Sequence, residues 1–168
     1  AAGEKTITNN RLISACANVK DMGSAMSVFA DMKAAGEKAD TITYSALISA
    51  CANAKDMGSA MSVFADMKAA GEKAHTITYN ALLKAVSFSG DVTTASRLLL
   101  EMDRTGPITR PNERTFVELF FTCSRCRPPA TARAIAFFDD LLARHLQPFA
   151  GIYHSFERCV SMSTAQPY

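Results

Sequence analysis

The sequence predicts an all-α solenoid of tandem helix-turn-helix repeats, and three observations predict it. Residues 6–40 and 41–75 are one 35-residue unit written twice, with only five differences: Asn9/Tyr44, Asn10/Ser45, Arg11/Ala46, Val19/Ala54 and Asp40/His75. A period of this length marks a helical repeat array, whose units bury their apolar faces only against their neighbours. Within each unit, apolar residues recur at helical spacing, and the breaks between them carry capping and terminating residues.

The elements follow in order. Residues 1–5 (AAGEK) copy the end of a unit, as at 34–38 and 69–73, and read as the end of an upstream repeat. The two residues that elsewhere separate this motif from the next Thr are missing before Thr6. The array is therefore expected to begin upstream, with this chain part of a longer protein. Repeat 1 is 6–40 and repeat 2 is 41–75. In repeat 2, Tyr44, Leu47, Ile48 and Cys51 define a first helix over about 42–53. Asp56 is the N-cap of a second helix whose buried stripe is Ala60, Val63, Phe64 and Met67; Asp21 and Asp91 hold the same cap position. Gly71 ends that helix by accepting the left-handed conformation, as do Gly36 and Gly106, with His145 in their place in repeat 4. Pro111 and Pro148 block continuation, where the first two repeats have Ala39 and Ala74. Ala25, Ala60, Ala95 and Ala134 mark the crossing of the two helices, where a small side chain permits close approach.

Repeat 3 (76–112) has two extra residues after Gly106, and repeat 4 (113–149), a degenerate copy, has two extra around Pro128-Pro129. Residues 150–168 hold the first helix of a partial fifth repeat, to about Met162, and a tail. The whole is expected to be four antiparallel helix pairs and a trailing helix in a right-handed superhelix without strands.

Composition sets bounds on function. The chain is 48% hydrophobic and 20% charged, the balance of a soluble globular protein, with no apolar run long enough for a membrane span. No targeting segment is visible at Ala1. The net charge is +2, and by repeat it is 0, 0, +1 and +1, far from the basic excess of a free-standing nucleic-acid binder. Of five cysteines, Cys16, Cys51 and Cys123 share the eleventh position of their repeats, where repeat 3 has Val86, so they read as small core residues. Cys123 and Cys126 form a CxxC pair without a second pair, and Cys159 has no evident partner. Nothing implies disulfides, and a reducing compartment is expected. Met22, Met26, Met32, Met57, Met61 and Met67 repeat with the unit and read as filler. His145 and His154 have no ligand constellation around them, and no Gly-rich phosphate loop or nucleophile arrangement is visible. No cofactor, metal or enzymatic activity is expected.

The first helices open on Thr-Tyr-x-x-Leu-Ile/Leu (Thr43, Tyr44, Leu47, Ile48; Thr78, Tyr79, Leu82, Leu83). The second close on Phe/Leu-x-x-Met-x-x-x-Gly (Phe64, Met67, Gly71; Leu99, Met102, Gly106), and repeats 3 and 4 end in Pro-Asn and Pro-Phe. The tetratricopeptide signature of Trp and Gly in the first helix is absent, and the chain has no Trp. The pattern resembles the pentatricopeptide repeat family over about residues 6–162. The resemblance implies an organellar protein, mitochondrial or plastid, that binds single-stranded RNA, each repeat reading one base from a concave groove lined by first helices. The second helices then form the convex face.

In that family the fifth and last residues of a repeat meet the base edge, and the second packs on the base face. Carried over, the edge readers are Asn10 with Asp40, Ser45 with His75, and Asn80 with Asn112; the packing residues are Ile7, Ile42 and Ile77. Asn10/Asp40 matches the family's preference for uracil, and Asn80/Asn112 that for a pyrimidine. Val117/Phe149 offers no edge hydrogen bond, and Arg114 departs from the packing residue, so repeat 4 is not expected to read sequence. Lys84 is a candidate phosphate contact. The zinc deaminase signature of some plant relatives is absent. Two function classes remain: RNA binding for processing, stability or translation, and a scaffold subunit of a large organellar assembly such as a ribosome, contacting other protein subunits or its RNA. The weak charge favours the scaffold, since phosphate neutralisation supplies much of RNA affinity. The Asn and Asp readers favour RNA. Two of the five differences between repeats 1 and 2 fall on edge readers.

Overall fold

The computed structural model of the chain describes residues 2–164, with side-chain environments for 5–161. Ala1 and the end of the tail, 165–168, lie outside the described residues. Among these residues there are nine α-helices, one short 3₁₀ turn and no strand. The helices are α1 (Ala2–Asn18), α2 (Met22–Ala34), α3 (Thr41–Asn53), α4 (Met57–Ala69), α5 (Thr76–Ser89), α6 (Val92–Thr105), α7 (Glu113–Arg125), α8 (Thr131–Ala143) and α9 (Ala150–Thr164). None is long and apolar enough to cross a membrane.

The local signals act where the sequence puts them. Asp21, Asp56 and Asp91 accept the backbone N–H of Ser24, Ser59 and Thr94 at 2.9, 2.9 and 3.0 Å, each filling one orphan donor of a second helix. Gly36, Gly71 and Gly106 sit at φ 68°, 76° and 116°, and His145 takes the same role at φ 57°. Ala25, Ala60, Ala95 and Ala134 are wholly enclosed, as are Met67 and Met102. The extra residues of repeat 3 form the 3₁₀ turn Pro107–Thr109, whose Thr109 hydroxyl donates to the Met102 carbonyl at 2.7 Å, while the proline-containing turn of repeat 4 leaves α8 without a side-chain cap.

Two features depart from the sequence reading. The helix α1 spans Ala2–Asn18, so residues 2–5 of the AAGEK copy form no terminating turn: Gly3, equivalent to Gly36 and Gly71, lies inside a helix continuous with repeat 1. In addition, the turn between the two helices of a repeat needs a left-handed residue, supplied by Lys20 and Lys55 at φ 62° each and by Gly90 at φ 70°.

Contacts divide the chain into two compact units, Ala1–Ala85 and Val86–Tyr168, with the boundary inside α5. In the first, α1 packs on α3, each first helix packs on its own second helix, and α2 also meets α3. The Phe29 ring meets Tyr44 edge-on at 5.6 Å and Phe64 meets Tyr79 at 5.5 Å, so the second helix of one repeat grips the first helix of the next by the same aromatic pair. Asn9 holds the tyrosine's position in repeat 1 and donates instead to Glu37 at 2.9 Å. In the second unit, α7 packs on α8 and α9. Phe120, Phe138 and Phe156 form its aromatic centre, with Phe138 stacked on Phe156 at 4.6 Å. Arg144 clamps Asp103 through both guanidinium nitrogens at 2.7 and 2.8 Å and reaches Asp140 at 3.0 Å.

Candidate nucleic-acid interface

Asp40 and His75 lie at the N-terminal ends of first helices and Ser45 close to one, where capping chemistry decides their geometry, while Asn10 lies midway along α1. Asp40 is both the last residue of repeat 1 and the N-cap of α3. Its Oδ1 accepts the Thr43 N–H at 2.8 Å, and the Asp40 N–H returns a bond to the Thr43 hydroxyl at 3.3 Å, a closed capping box. Asn112 builds the same box on α7 with Thr115, accepting its N–H at 3.2 Å and donating to its hydroxyl at 3.0 Å. His75 is exposed and retains one half of the box, its N–H on the Thr78 hydroxyl at 3.3 Å.

Asn10 reaches across from α1 into this box. Its amide nitrogen donates to both Asp40 oxygens at 3.2 and 3.3 Å, and its carbonyl oxygen accepts the Thr43 hydroxyl at 2.5 Å. The two sequence-predicted readers of repeat 1 are thus bonded to each other. Burial raises the Asp40 carboxyl, but the bonds from Thr43 and Asn10 outweigh it and leave its pKa below the usual carboxylate value, so it is ionised at neutral pH. One repeat on, Ser45 Oγ bonds to Thr78 Oγ1 at 2.8 Å, the same link from fifth residue to the third residue of the next repeat.

The isoleucines are the opposite case. Ile7, Ile42 and Ile77 are 55%, 62% and 74% exposed, although aliphatic side chains of this size are ordinarily enclosed. Two recesses lie between them. One of about 430 Å³ has Ile7 and Ile42 on its walls and Asn10, Arg11, Ser14 and Asn18 around them. The next, of about 300 Å³, has Ile42 and Ile77 as walls with Ser45, Ser49 and His75. Each recess therefore combines two apolar walls with the fifth residue of a repeat. Asn10 is only 7% exposed, which puts its amide in the floor of the recess rather than on its rim.

The remaining predicted positions vary. Asn80 is half-buried on α5. Lys84 donates to Asn53 Oδ1 at 2.6 Å, and the Asn53 amide in turn donates to the Ala17 carbonyl at 2.7 Å, tying the C-terminal ends of α1 and α3 to the body of α5. Arg114 pairs with Glu118 at 3.0 Å, Val117 is buried, and Phe149 is half exposed. Among the described residues no group of three or more His, Cys, Asp or Glu is placed to hold a metal. The Cys51 and Cys123 thiols are pushed up by burial to about 11 and about 12, which keeps them protonated.

Sequence reasoning missed the third residue of the repeat. Thr43, Thr78 and Thr115 are wholly buried, and their hydroxyls bond the last residue of the repeat before. The available signal was the recurrence of Thr at this position in all four repeats, including Thr8.

A family model described as the pentacotripeptide-repeat region of PRORP matches residues 3–163. The chain belongs to the pentatricopeptide repeat family. Among solved structures, the maize pentatricopeptide repeat protein PPR10 is 26% identical with a TM-score of 0.71, over 94% of this chain and 24% of that one. PPR10 in complex with an 18-nt psaJ RNA element is 23% identical with a TM-score of 0.77, over 89% and 22%. The pentatricopeptide repeat domain of Arabidopsis thaliana protein-only RNase P 1, in complex with tRNA, is 14% identical with a TM-score of 0.80, over 95% and 82%. The chain thus spans about a quarter of the length of the maize protein, and its fold is that of an all-α helical-repeat solenoid. No curated protein matches it.

Proposed function

We propose that this pentatricopeptide repeat chain binds single-stranded RNA in an organelle, mitochondrion or plastid, one base per repeat and without a chemical step, in RNA processing, stability or translation. The observation that carries the reading is the alternation of exposed isoleucines and recesses, each recess bearing the fifth residue of a repeat. A base entering a recess meets apolar surface on both faces and a polar edge partner, the combination that single-stranded recognition requires. Family membership and the RNA-bound maize relative support the same reading.

In repeat 1, Asn10 supplies an amide N–H and Asp40 a carboxylate oxygen, one donor and one acceptor for a base edge. A pyrimidine is assigned to this repeat. Lys84, whose ammonium donates to Asn53 Oδ1, is the assigned phosphate contact. The test is selection from a randomised single-stranded RNA pool at low salt, followed by titration of the winning sequence. Asn10→Ala is expected to weaken binding by about tenfold or more, since a good base contact is worth roughly 1–3 kcal/mol. If the protein retains no RNA at low salt, the reading fails and the scaffold role takes its place.

A further inference from the structure

We propose that Thr43, a residue of repeat 2, contributes to which base repeat 1 prefers, because its buried hydroxyl and the Asp40 carboxylate together hold the Asn10 amide in one orientation; Thr78 holds the Ser45 hydroxyl in place by the corresponding bond. The inference deepens the RNA-binding reading and rests on it.

The argument begins with one proton. The Thr43 side chain is wholly enclosed and its hydroxyl has a single hydrogen to donate. Its closest acceptor is Asn10 Oδ1 at 2.5 Å; Asp40 Oδ1 is farther, at 2.9 Å. Asp40 Oδ1 is already served by the Thr43 N–H at 2.8 Å and the Asn10 amide at 3.2 Å, so it does not depend on the hydroxyl. Asn10 Oδ1 does. The amide thus has an oxygen held by Thr43 and a nitrogen held by an ionised carboxylate. Turning it over would set its oxygen against the Asp40 carboxylate and lose the bond from the amide nitrogen, while the Thr43 hydroxyl would give up its shorter bond to Asn10 Oδ1, turning its proton to Asp40 Oδ1 and accepting the amide N–H instead, in a largely enclosed site where lost bonds are costly.

The two ends of an Asn amide have opposite hydrogen-bonding sense. Locked as observed, Asn10 offers a base its second N–H; turned over, it would offer an oxygen, and the order of donor and acceptor on a base edge is what distinguishes the bases. Asp40 biases the amide from one side and Thr43 from the other. Because Thr43 belongs to the next repeat, the specificity of a repeat is partly written in its neighbour. Ser45 on Thr78 repeats the link at 2.8 Å, with either hydroxyl as donor.

The test compares wild type, N10A, T43V and T43S by selection from a randomised RNA pool and by thermal unfolding. N10A identifies the nucleotide that repeat 1 faces, as the one whose preference it erases. T43V keeps the shape and removes the hydroxyl; it is expected to lower the preference at that same nucleotide by at least about fivefold, leaving other nucleotides unchanged. T43S retains a hydroxyl and is expected to restore the preference. A merely structural threonine would instead lower the melting temperature and weaken all RNAs alike, so unaltered preference in T43V overturns the inference while the RNA-binding reading stands. If wild type binds no RNA, both fall. Should T43V not fold, T78V makes the same comparison at the nucleotide facing Ser45.

Discussion

Single residues carry two kinds of information in this chain, chemical and conformational, and the second is the easier to test. Lys20 and Lys55 hold φ of 62° in the turn between the helices of their repeats, a conformation that glycine takes without steric cost and repeat 3 fills with Gly90. A left-handed L-residue costs roughly 1–2 kcal/mol, of which the greater freedom of glycine in the unfolded chain takes back about 0.4–1 kcal/mol. Lys55→Gly should therefore stabilise the protein by about 0.5–1 kcal/mol, read as a rise in urea midpoint at constant slope. The converse change meets a second obstacle. A Cβ on Gly90 would lie 2.9 Å from the backbone of Arg125 and Cys126, so Gly90→Ala should destabilise by about 2 kcal/mol or more. A loss no greater than that of an exposed alanine substitution would show that the turn relaxes.

At the scale of elements, the caps govern where each helix starts and how stability depends on pH. Hydrogen bonds from the side chain and backbone of Ser24, Ser59 and Thr94 lower the Asp21, Asp56 and Asp91 pKa values, with the backbone of Ser59 leading for Asp56. A folded pKa below the unfolded one, ordinarily about 3.9, gives stability that is present above that value and lost as pH falls through the folded pKa. Asp56→Asn keeps a cap acceptor but removes the charge. The variant should show a shallower loss of stability between about pH 4 and pH 2 than wild type, in parallel urea titrations. Identical slopes would mean that Asp56 has the same pKa folded and unfolded. The aromatic pairs Phe29/Tyr44 and Phe64/Tyr79 belong to this scale too, since they join a second helix to the first helix of the following repeat.

For the whole molecule, the salt dependence of the proposed RNA binding reports how many phosphates the chain meets. Net charge is +2 on 168 residues, and Lys33, Arg114 and Arg144 are committed to intramolecular ion pairs. Counterion release changes log K by about 0.7 per neutralised phosphate on a single strand. At one nucleotide for each of the three reading repeats about three phosphates are met, so the slope of log K against log salt should be about −2, and Lys84→Met should flatten it by about 0.7 without altering base preference. A slope several times steeper would show that affinity comes from phosphates and that the recesses contribute little. Local order was written in the chain: the 35-residue period, the Asp caps, the terminating glycines and the enclosed alanines are one-dimensional signals, because short-range sterics and hydrogen bonding decide helices. Ile7, Ile42 and Ile77, which the family resemblance singled out as base-packing residues, are exposed. Contacts between helices were not legible in the chain. That Asn10 bonds Asp40 thirty residues away, that Thr43 holds its amide, that Asn53 relays Lys84 to the Ala17 carbonyl, and that AAGEK continues into α1 instead of ending a helix were decided only in the tertiary structure. Periodicity says which residues share a face, but the partner of a polar side chain depends on how adjacent helices are set against each other, and that is a property of packing.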